Sequence, residues 1–321
     1  MKTPATSIWI SVLSRGRKVL AETIFVLFLC ASVFALFLSI LKAAGTLPAP
    51  PLTGIYCVDE KFRFLAETDL SGVDLLAVGS SATWRSLDLA PFVEKGLTAR
   101  PINAAACELQ AHHIAFLTEF LLEHLTDAKT VVSVLAPGDF TNCPEDTRAF
   151  FDTRLTGAYV FANLPSILIY ALNFRPGQLL EDAGRIGTRR SDASSRDSLV
   201  LGAYGFGPIE IVPEPKLVPN LDERCFLALS ALEEELVRRD VALVVVSLPS
   251  VTLPDLQDGA DAFETRLRAS LVADRTIHVS SRAMDPANTL ELNVEHLHWS
   301  TGRSFSSLLA DRIGTSPMTN R

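Results

Sequence analysis

A run of 19 residues without a charged side chain, Thr23 to Leu41, constrains this chain more than any other feature. As an α-helix rising 1.5 Å per residue, the run matches the roughly 30 Å hydrocarbon core of a bilayer, which a core helix of a soluble domain does not need to do. The run also explains a composition that is 48% hydrophobic with a mean hydropathy of +0.26. We therefore predict one transmembrane helix over residues 19–42.

The charges around this run predict its orientation. Basic side chains cluster before it, without an acid among the first 18 residues, whereas only Lys42 follows closely. The positive-inside rule then makes residues 1–18 a cytoplasmic tail and places everything after Leu41 outside. A cleaved signal peptide is the alternative, because the small residues Ala43 to Gly45 suit a signal peptidase. The apolar core of a signal peptide usually has about 7–15 residues, so the uncleaved anchor is favoured.

The exported part is acidic and therefore a poor nucleic-acid ligand. The chain carries a formal charge of −8, and about −12 remains once the basic tail is removed. A main function in nucleic-acid binding needs a basic face that displaces counterions, so we expect no nucleic-acid partner.

Short apolar runs alternate with helical patterns after residue 56. The predicted strands are Val73–Val78, Ala99–Ala105, Thr130–Leu135, Val241–Leu248 and Thr276–Val279. The predicted helices are Leu109–Leu125, Leu221–Arg239, Ala262–Ala273 and Ser300–Ile313. This alternation predicts an α/β fold, a three-layer α/β/α sandwich with a mostly parallel sheet.

Two regions depart from the alternation. The Pro-rich residues 43–55 predict a stiff spacer between the membrane and a domain over residues 56–321. An insertion at about 144–220 contains the apolar stretch Ala158–Phe174 and a possible hairpin around Leu199–Val212. We expect the apolar stretch to form a lid or a membrane-surface helix, with a second membrane span as the alternative.

The turn after the first predicted strand carries the sharpest chemical signal. Gly79, Ser80 and Ser81 stand where this strand ends. A serine in a tight turn at the carboxyl end of a buried strand exposes its hydroxyl, as an acyl-transferring nucleophile requires. His296 and His298 lie just ahead of the last predicted helix, where a base could meet this serine at one edge of a parallel sheet.

This arrangement resembles the SGNH (GDSL-like) hydrolase superfamily over most of residues 70–313. The family places its catalytic serine in a Gly-Asp-Ser or Gly-Ser-Ser turn after strand one, which implies that Ser81 is the nucleophile. Its second block matches the sequence from Asn103 to Glu108, although the usual Gly is missing there, and implies an oxyanion donor near Cys107. Its third block matches the segment containing Gly138 and Asn142.

The family's fourth block, Asp-x-x-His, leaves two alignments open. The first makes His296 the base and puts Asn293 where the family has Asp. The second pairs Glu295 with His298, which restores an acid.

The Gly-Asp-Phe after the third strand is similar to the membrane-tethered branch of the family, which works beside membrane-bound O-acyltransferases.

The resemblance implies a serine esterase or O-acyltransferase acting on acyl esters, with acetyl favoured, of an envelope or secreted polysaccharide. It implies a bacterial inner-membrane protein with its main domain outside the cytoplasm, no cofactor, no metal, and a membrane-bound O-acyltransferase as a partner. Two alternatives remain open: a catalytically degenerate glycan-binding or accessory protein of a modification or export complex, and a lipid esterase.

The cysteines fit an exported domain. Cys30 lies in the apolar run, which leaves Cys57, Cys107, Cys143 and Cys225 outside, an even number with three possible pairings. Because Cys107 and Cys143 each follow a predicted strand of the same sheet, we predict that these two form a disulfide that braces the oxyanion loops.

Overall fold

The computed structural model of the chain describes residues 5–144, 149–191, 202–207, 220–248, 254–285 and 297–315. The strands are β1 (Leu75–Ala77), β2 (Pro101–Asn103), β3 (Thr130–Leu135), β4 (Ala242–Ser247) and β5 (Thr276–Ser280). The helices are α1 (Ala5–Ala43), α2 (Tyr56–Glu67), α3 (Ser81–Ser86), α4 (Ala90–Glu94), α5 (Ala111–His124), α6 (Thr153–Phe161), α7 (Ser166–Leu172), α8 (Pro176–Ser191), α9 (Glu223–Arg238), α10 (Pro254–Ser270), α11 (Ser281–Met284) and α12 (Trp299–Gly314), with a 3₁₀ turn at Pro137–Phe140.

The five strands form one parallel sheet in the order β2-β1-β3-β4-β5. Each overlaps one of the five predicted strands, so the α/β prediction is confirmed. The two longest, β3 and β4, are apolar on both faces because helices cover both sides.

Alternate residues of β4 show the two covering layers. Leu243 and Val245 belong to a core that also holds side chains of α2, α5, α9 and α10. Val244 and Val246 belong to a second core, shared with α3, α4 and α12. The sheet therefore lies between two helical layers, as the period of two along a strand requires.

The chain divides into two compact units, residues 1–48 with 175–190 and residues 49–174 with 191–321. The first contains α1, whose part Lys18–Ala43 is the one described helix long and apolar enough to cross a membrane. The helix ends at Ala43. Just beyond it, Gly45 has a φ of +65°, and the Thr46 N–H donates to the Leu41 carbonyl at 2.9 Å. This is a glycine C-cap, which a side chain would strain.

Residues 49–55, the distal part of the predicted spacer, fold onto the first turn of α2. The Asp59 carboxylate accepts the backbone N–H groups of residues 52–54, and Glu60 accepts the N–H of Ala49 at 2.8 Å. Burial raises the pKa of Asp59 to about 6, against the lowering effect of these hydrogen bonds, and the pKa of Glu60 to about 7. Helix α2 and these buried carboxylates were not among the predicted features.

The apolar stretch of the insertion forms two short helices, α6 and α7. The first ends at Phe161, Asn163 adopts a left-handed φ of +55°, and Pro165 precedes the second. A single transmembrane helix over this stretch is therefore wrong, because the helix breaks after one short segment. Of the possible hairpin at Leu199–Val212, residues 202–207 form a turn, and the rest lies outside the described residues.

The predicted disulfide between Cys107 and Cys143 is wrong. Cys107 instead pairs with Cys57 on α2, and Cys143 pairs with Cys225 on α9, with Cα atoms 6.0 and 5.2 Å apart. Asp222, the N-cap of α9, holds the loop after β3 next to Cys225. Its N–H donates to the Phe140 carbonyl at 2.7 Å, and its carboxylate accepts the Cys143 N–H. Together with the apolar N-terminal helix, two disulfides indicate an extracytoplasmic domain.

We predict that peptide mapping without reduction finds the Cys57–Cys107 and Cys143–Cys225 peptides, with Cys30 alkylated as a free thiol. A peptide joining Cys107 to Cys143 would contradict the described fold.

Replacing Cys143 and Cys225 together by Ser should lower the free energy of unfolding by roughly 2–5 kcal/mol, since that bond closes a loop of 82 residues.

Candidate active site

The strand order reverses direction between β1 and β3, and the carboxyl ends of these two strands are the expected place for a ligand. The connection from β1 leads to β2 on one side, and the chain then returns to β3 on the other side of β1. In open parallel sheets such a reversal leaves a crevice outside the strand ends, where ligands bind. Ser81 follows β1, and Gly138 follows β3, so both predicted site residues border this switch point.

The turn that carries Ser81 is held by the side chain of Thr83. The Thr83 hydroxyl donates to the Val134 carbonyl at 2.8 Å and accepts the Val134 N–H at 2.9 Å. It fills the space next to Gly79, where a Cβ would lie 1.8 Å from Thr83 Oγ1. Ser80 is buried and caps α3 by accepting the Ala82 N–H, which leaves Ser81 as the partly exposed serine of the pair.

The loop after β2 lies against this turn. The Ala106 N–H donates to the Gly79 carbonyl at 3.1 Å, and the neighbouring Cys107 is fixed by its disulfide to Cys57. Glu108 is exposed and has φ +61°, a left-handed conformation that favours glycine. Glu108 therefore holds a backbone conformation that is strained for a residue with a side chain.

Asn103, at the end of β2, is buried, and its hydrogen bonds join several backbone segments. Its side chain donates to the Leu87 carbonyl at 3.0 Å and accepts the Ala105 N–H, and its own N–H donates to the Tyr204 carbonyl. The Asn103 carbonyl accepts a bond from Lys61 Nζ at 3.0 Å.

Lys61 is a buried amine that was not among the predicted site residues. It is 2% exposed, and its Nζ also donates to the Gly205 carbonyl at 2.7 Å. Burial holds the pKa of this ammonium well below its usual value, and the charge of Arg85 lowers it further. No sequence signal distinguishes this lysine from a surface lysine of an amphipathic helix.

The loop after β3 presents a buried acid and an exposed amide. Asp139 is 6% exposed and its carboxylate accepts the Ala136 N–H at 3.0 Å, so it closes the 3₁₀ turn. Asn142 lies beyond this turn with its side chain exposed, and Gly138 lies within it. Asp139 therefore stabilises the turn, whereas the Asn142 side chain is open to solvent.

Of the residues in the fourth block, His298 is described, whereas Asn293, Glu295 and His296 lie outside the described residues. His298 is the N-cap of α12, which packs on α3 so closely that a Cβ on Gly302 would be 3.3 Å from the Ser86 carbonyl. The last helix therefore lies beside the short helix that Ser81 begins.

The ring of His298 is engaged by its own helix. Its Nδ1 accepts the Ser300 N–H at 3.3 Å and lies 2.7 Å from the Ser300 hydroxyl. Both contacts hold the ring at the start of α12. His298 therefore caps α12, and the choice between His296 and His298 as the base stays a prediction.

Trp84 and Arg85, which follow the turn, serve packing. Trp84 is 2% exposed, and the Arg85 guanidinium stacks 3.8 Å from its ring centroid. Arg85 also donates to the Gly207 carbonyl at 3.2 Å, which ties residues 202–207 to α3.

The histidines of α5 also pack against their neighbours. The ring of His112 is 3.8 Å from that of His113, and His124 stacks on Phe161 at 4.1 Å. Burial lowers the pKa of His113 to about 4, and the His112 charge contributes to this shift. Within the described ranges, no group of three His, Cys, Asp or Glu side chains is placed to hold a metal ion.

No family model matches the chain, and no curated protein matches its sequence at a significant level. The structure is compatible with an SGNH-like fold through its five-strand parallel sheet of order 2-1-3-4-5.

We predict that Gly79→Ala lowers the free energy of unfolding by roughly 2–4 kcal/mol, because the new methyl displaces the Thr83 hydroxyl from its buried bonds to Val134. Thermal denaturation measures the effect. Gly184→Ala is the matched control, since nothing lies within 4 Å of its Cβ position in α8, and its melting temperature should not fall. Equal melting temperatures for the two variants would contradict the described turn.

Proposed function

We propose that this protein is a membrane-anchored, extracytoplasmic serine esterase or O-acyltransferase that acts on acetyl esters of an envelope or secreted polysaccharide. The observation that carries the proposal is the position of Ser81, partly exposed in a glycine-dependent turn at the switch point of the sheet. A large buried core on both faces of the sheet would hold that turn rigid.

In the proposed mechanism, the Ser81 hydroxyl attacks the ester carbonyl while His296 takes its proton. The tetrahedral intermediate collapses, its C–O bond breaks, and His296 returns the proton to the departing sugar oxygen. The acyl group is then on Ser81. Water or a second sugar hydroxyl attacks the acyl-enzyme with His296 again as the base, which regenerates Ser81 and releases acetate or a new ester.

Three donors could stabilise the oxyanion: the Ser81 N–H, a backbone N–H near Cys107, and the side-chain amide of Asn142. The bond from Ala106 to Gly79 and the Cys57–Cys107 disulfide hold the second loop against the nucleophile turn. A fixed donor of this kind contributes roughly 10²–10³ in rate.

The identity of residue 293 predicts a slow enzyme. An Asp beside the base orients the imidazole and stabilises its charged form, whereas Asn293 can supply only a neutral hydrogen bond. The corresponding exchange in a serine-protease triad lowers kcat about 10⁴-fold. We infer that the wild-type protein turns over slowly or that Glu291 or Glu295 takes over this role.

The enzymatic proposal predicts opposite effects of two substitutions. In the release of acetate from an acetylated oligosaccharide or p-nitrophenyl acetate, Ser81→Ala should remove turnover, whereas Asn293→Asp should raise kcat at least tenfold. Ser71→Ala is the matched control, because Ser71 is an exposed serine before the opposite end of β1. Full turnover in Ser81→Ala would contradict the proposal.

A second candidate function is a non-catalytic accessory protein that binds glycan or docks to a modification complex. Asn293 and the capping role of His298 favour it. It predicts no acetate release from wild type or Asn293→Asp. Mass spectrometry of the polysaccharide from a deletion strain and a Ser81→Ala strain separates the two: accessory function predicts altered acetylation in the deletion strain alone.

A further inference from the structure

The short helix α7 is apolar on the side that faces solvent as well as on the side that faces the core. Ile169 and Tyr170 are buried, at 0% and 3% exposure. Ile167, Leu168 and Leu172 are exposed at 40%, 47% and 71%. The solvent side of a surface helix normally carries polar residues, so this side is built to contact something apolar.

The exposed apolar surface continues past the end of the helix. Phe174, two residues beyond Leu172, is 49% exposed, and residues 165–174 contain no charged side chain. With seven residues and a rise of 1.5 Å each, α7 is about 10 Å long and too short to enter a bilayer end-on and cross it. A helix of this kind can lie in the plane of the membrane interface with its apolar side down.

Chain connectivity identifies which apolar partner is close. The Asn173 side chain donates to the Pro51 carbonyl at 2.9 Å, which ties the carboxyl end of α7 to the segment that follows α1. Thr46 is still bonded to Leu41 in the cap of α1. The five residue-to-residue steps from Thr46 to Pro51 can span about 18 Å at most. The end of α7 therefore cannot move far from the end of the apolar helix.

We propose that the exposed side of α7, formed by Ile167, Leu168, Leu172 and Phe174, rests in the outer-leaflet interface of the membrane that α1 crosses. This inference rests on the anchored state in the proposed function but not on catalysis by Ser81. The domain would then contact the membrane at a second point besides its anchor. A lipid surface fits better than a protein partner, because the anchor keeps the bilayer within reach of this side at all times.

A photo-crosslinking experiment on the full chain in its native membrane tests the proposal. Benzoylphenylalanine replaces Leu172 in one variant, Leu168 in a second and Leu227 in a control. Leu227 lies on α9 and is 61% exposed, so it matches Leu172 in residue type and exposure outside the α7 surface. After irradiation, intact-mass spectrometry identifies the adduct, and the same variants are measured in a Ser81→Ala background.

We expect a phospholipid adduct at positions 168 and 172, with a yield at least tenfold above that at position 227 and unchanged by Ser81→Ala. Equal lipid yields at all three positions would overturn the proposal. So would crosslinks at 168 and 172 that join a second copy of the chain or another protein. A mature mass that lacks residues 1–45 would overturn the anchored state on which the inference rests, and catalysis could still be measured in that chain.

Discussion

The candidate site depends on the hydrogen bonds that satisfy the backbone of β3 beyond the end of β1. This strand is three residues long, so β3 continues past it and the backbone groups of Val134 lack a strand neighbour on that side. The Thr83 hydroxyl bonds both the N–H and the carbonyl of Val134, and a buried pair left unsatisfied would cost roughly 1–3 kcal/mol per group. Because this hydroxyl occupies the space of a Cβ on Gly79, the turn that carries Ser81 past the end of β1 requires glycine at this position.

The sheet could be predicted from the sequence because its signal is local. The buried strands β3 and β4 read as continuous apolar runs, and the amphipathic α9 has a clear helical period. The turn after β1 could also be predicted, because Gly79 and two serines directly follow the apolar run. In contrast, α2 follows a Pro-rich segment and carries buried Asp59, Glu60 and Lys61, so a pattern of apolar residues does not reveal its role.

The disulfide pairing could not be predicted from the positions of strands. Cys107 and Cys143 both follow strands of one sheet, but each bonds a helix of the covering layer, because Cys57 on α2 and Cys225 on α9 pack against those loops. Spacing along the chain contains no information on such helix-to-loop contacts. The same holds for Asn103 and Lys61, whose hydrogen bonds join segments that are distant in sequence.

The central proposal is that Ser81 is a nucleophile activated by His296. Labelling with a fluorophosphonate tests it directly, since this reagent phosphonylates an activated serine and leaves ordinary hydroxyls unreacted. The account predicts a single adduct per chain, located by peptide mass spectrometry at Ser81 and strongly reduced in His296→Ala. An intact chain that stays unlabelled under conditions that label a known serine esterase, or an adduct at another serine, would contradict it.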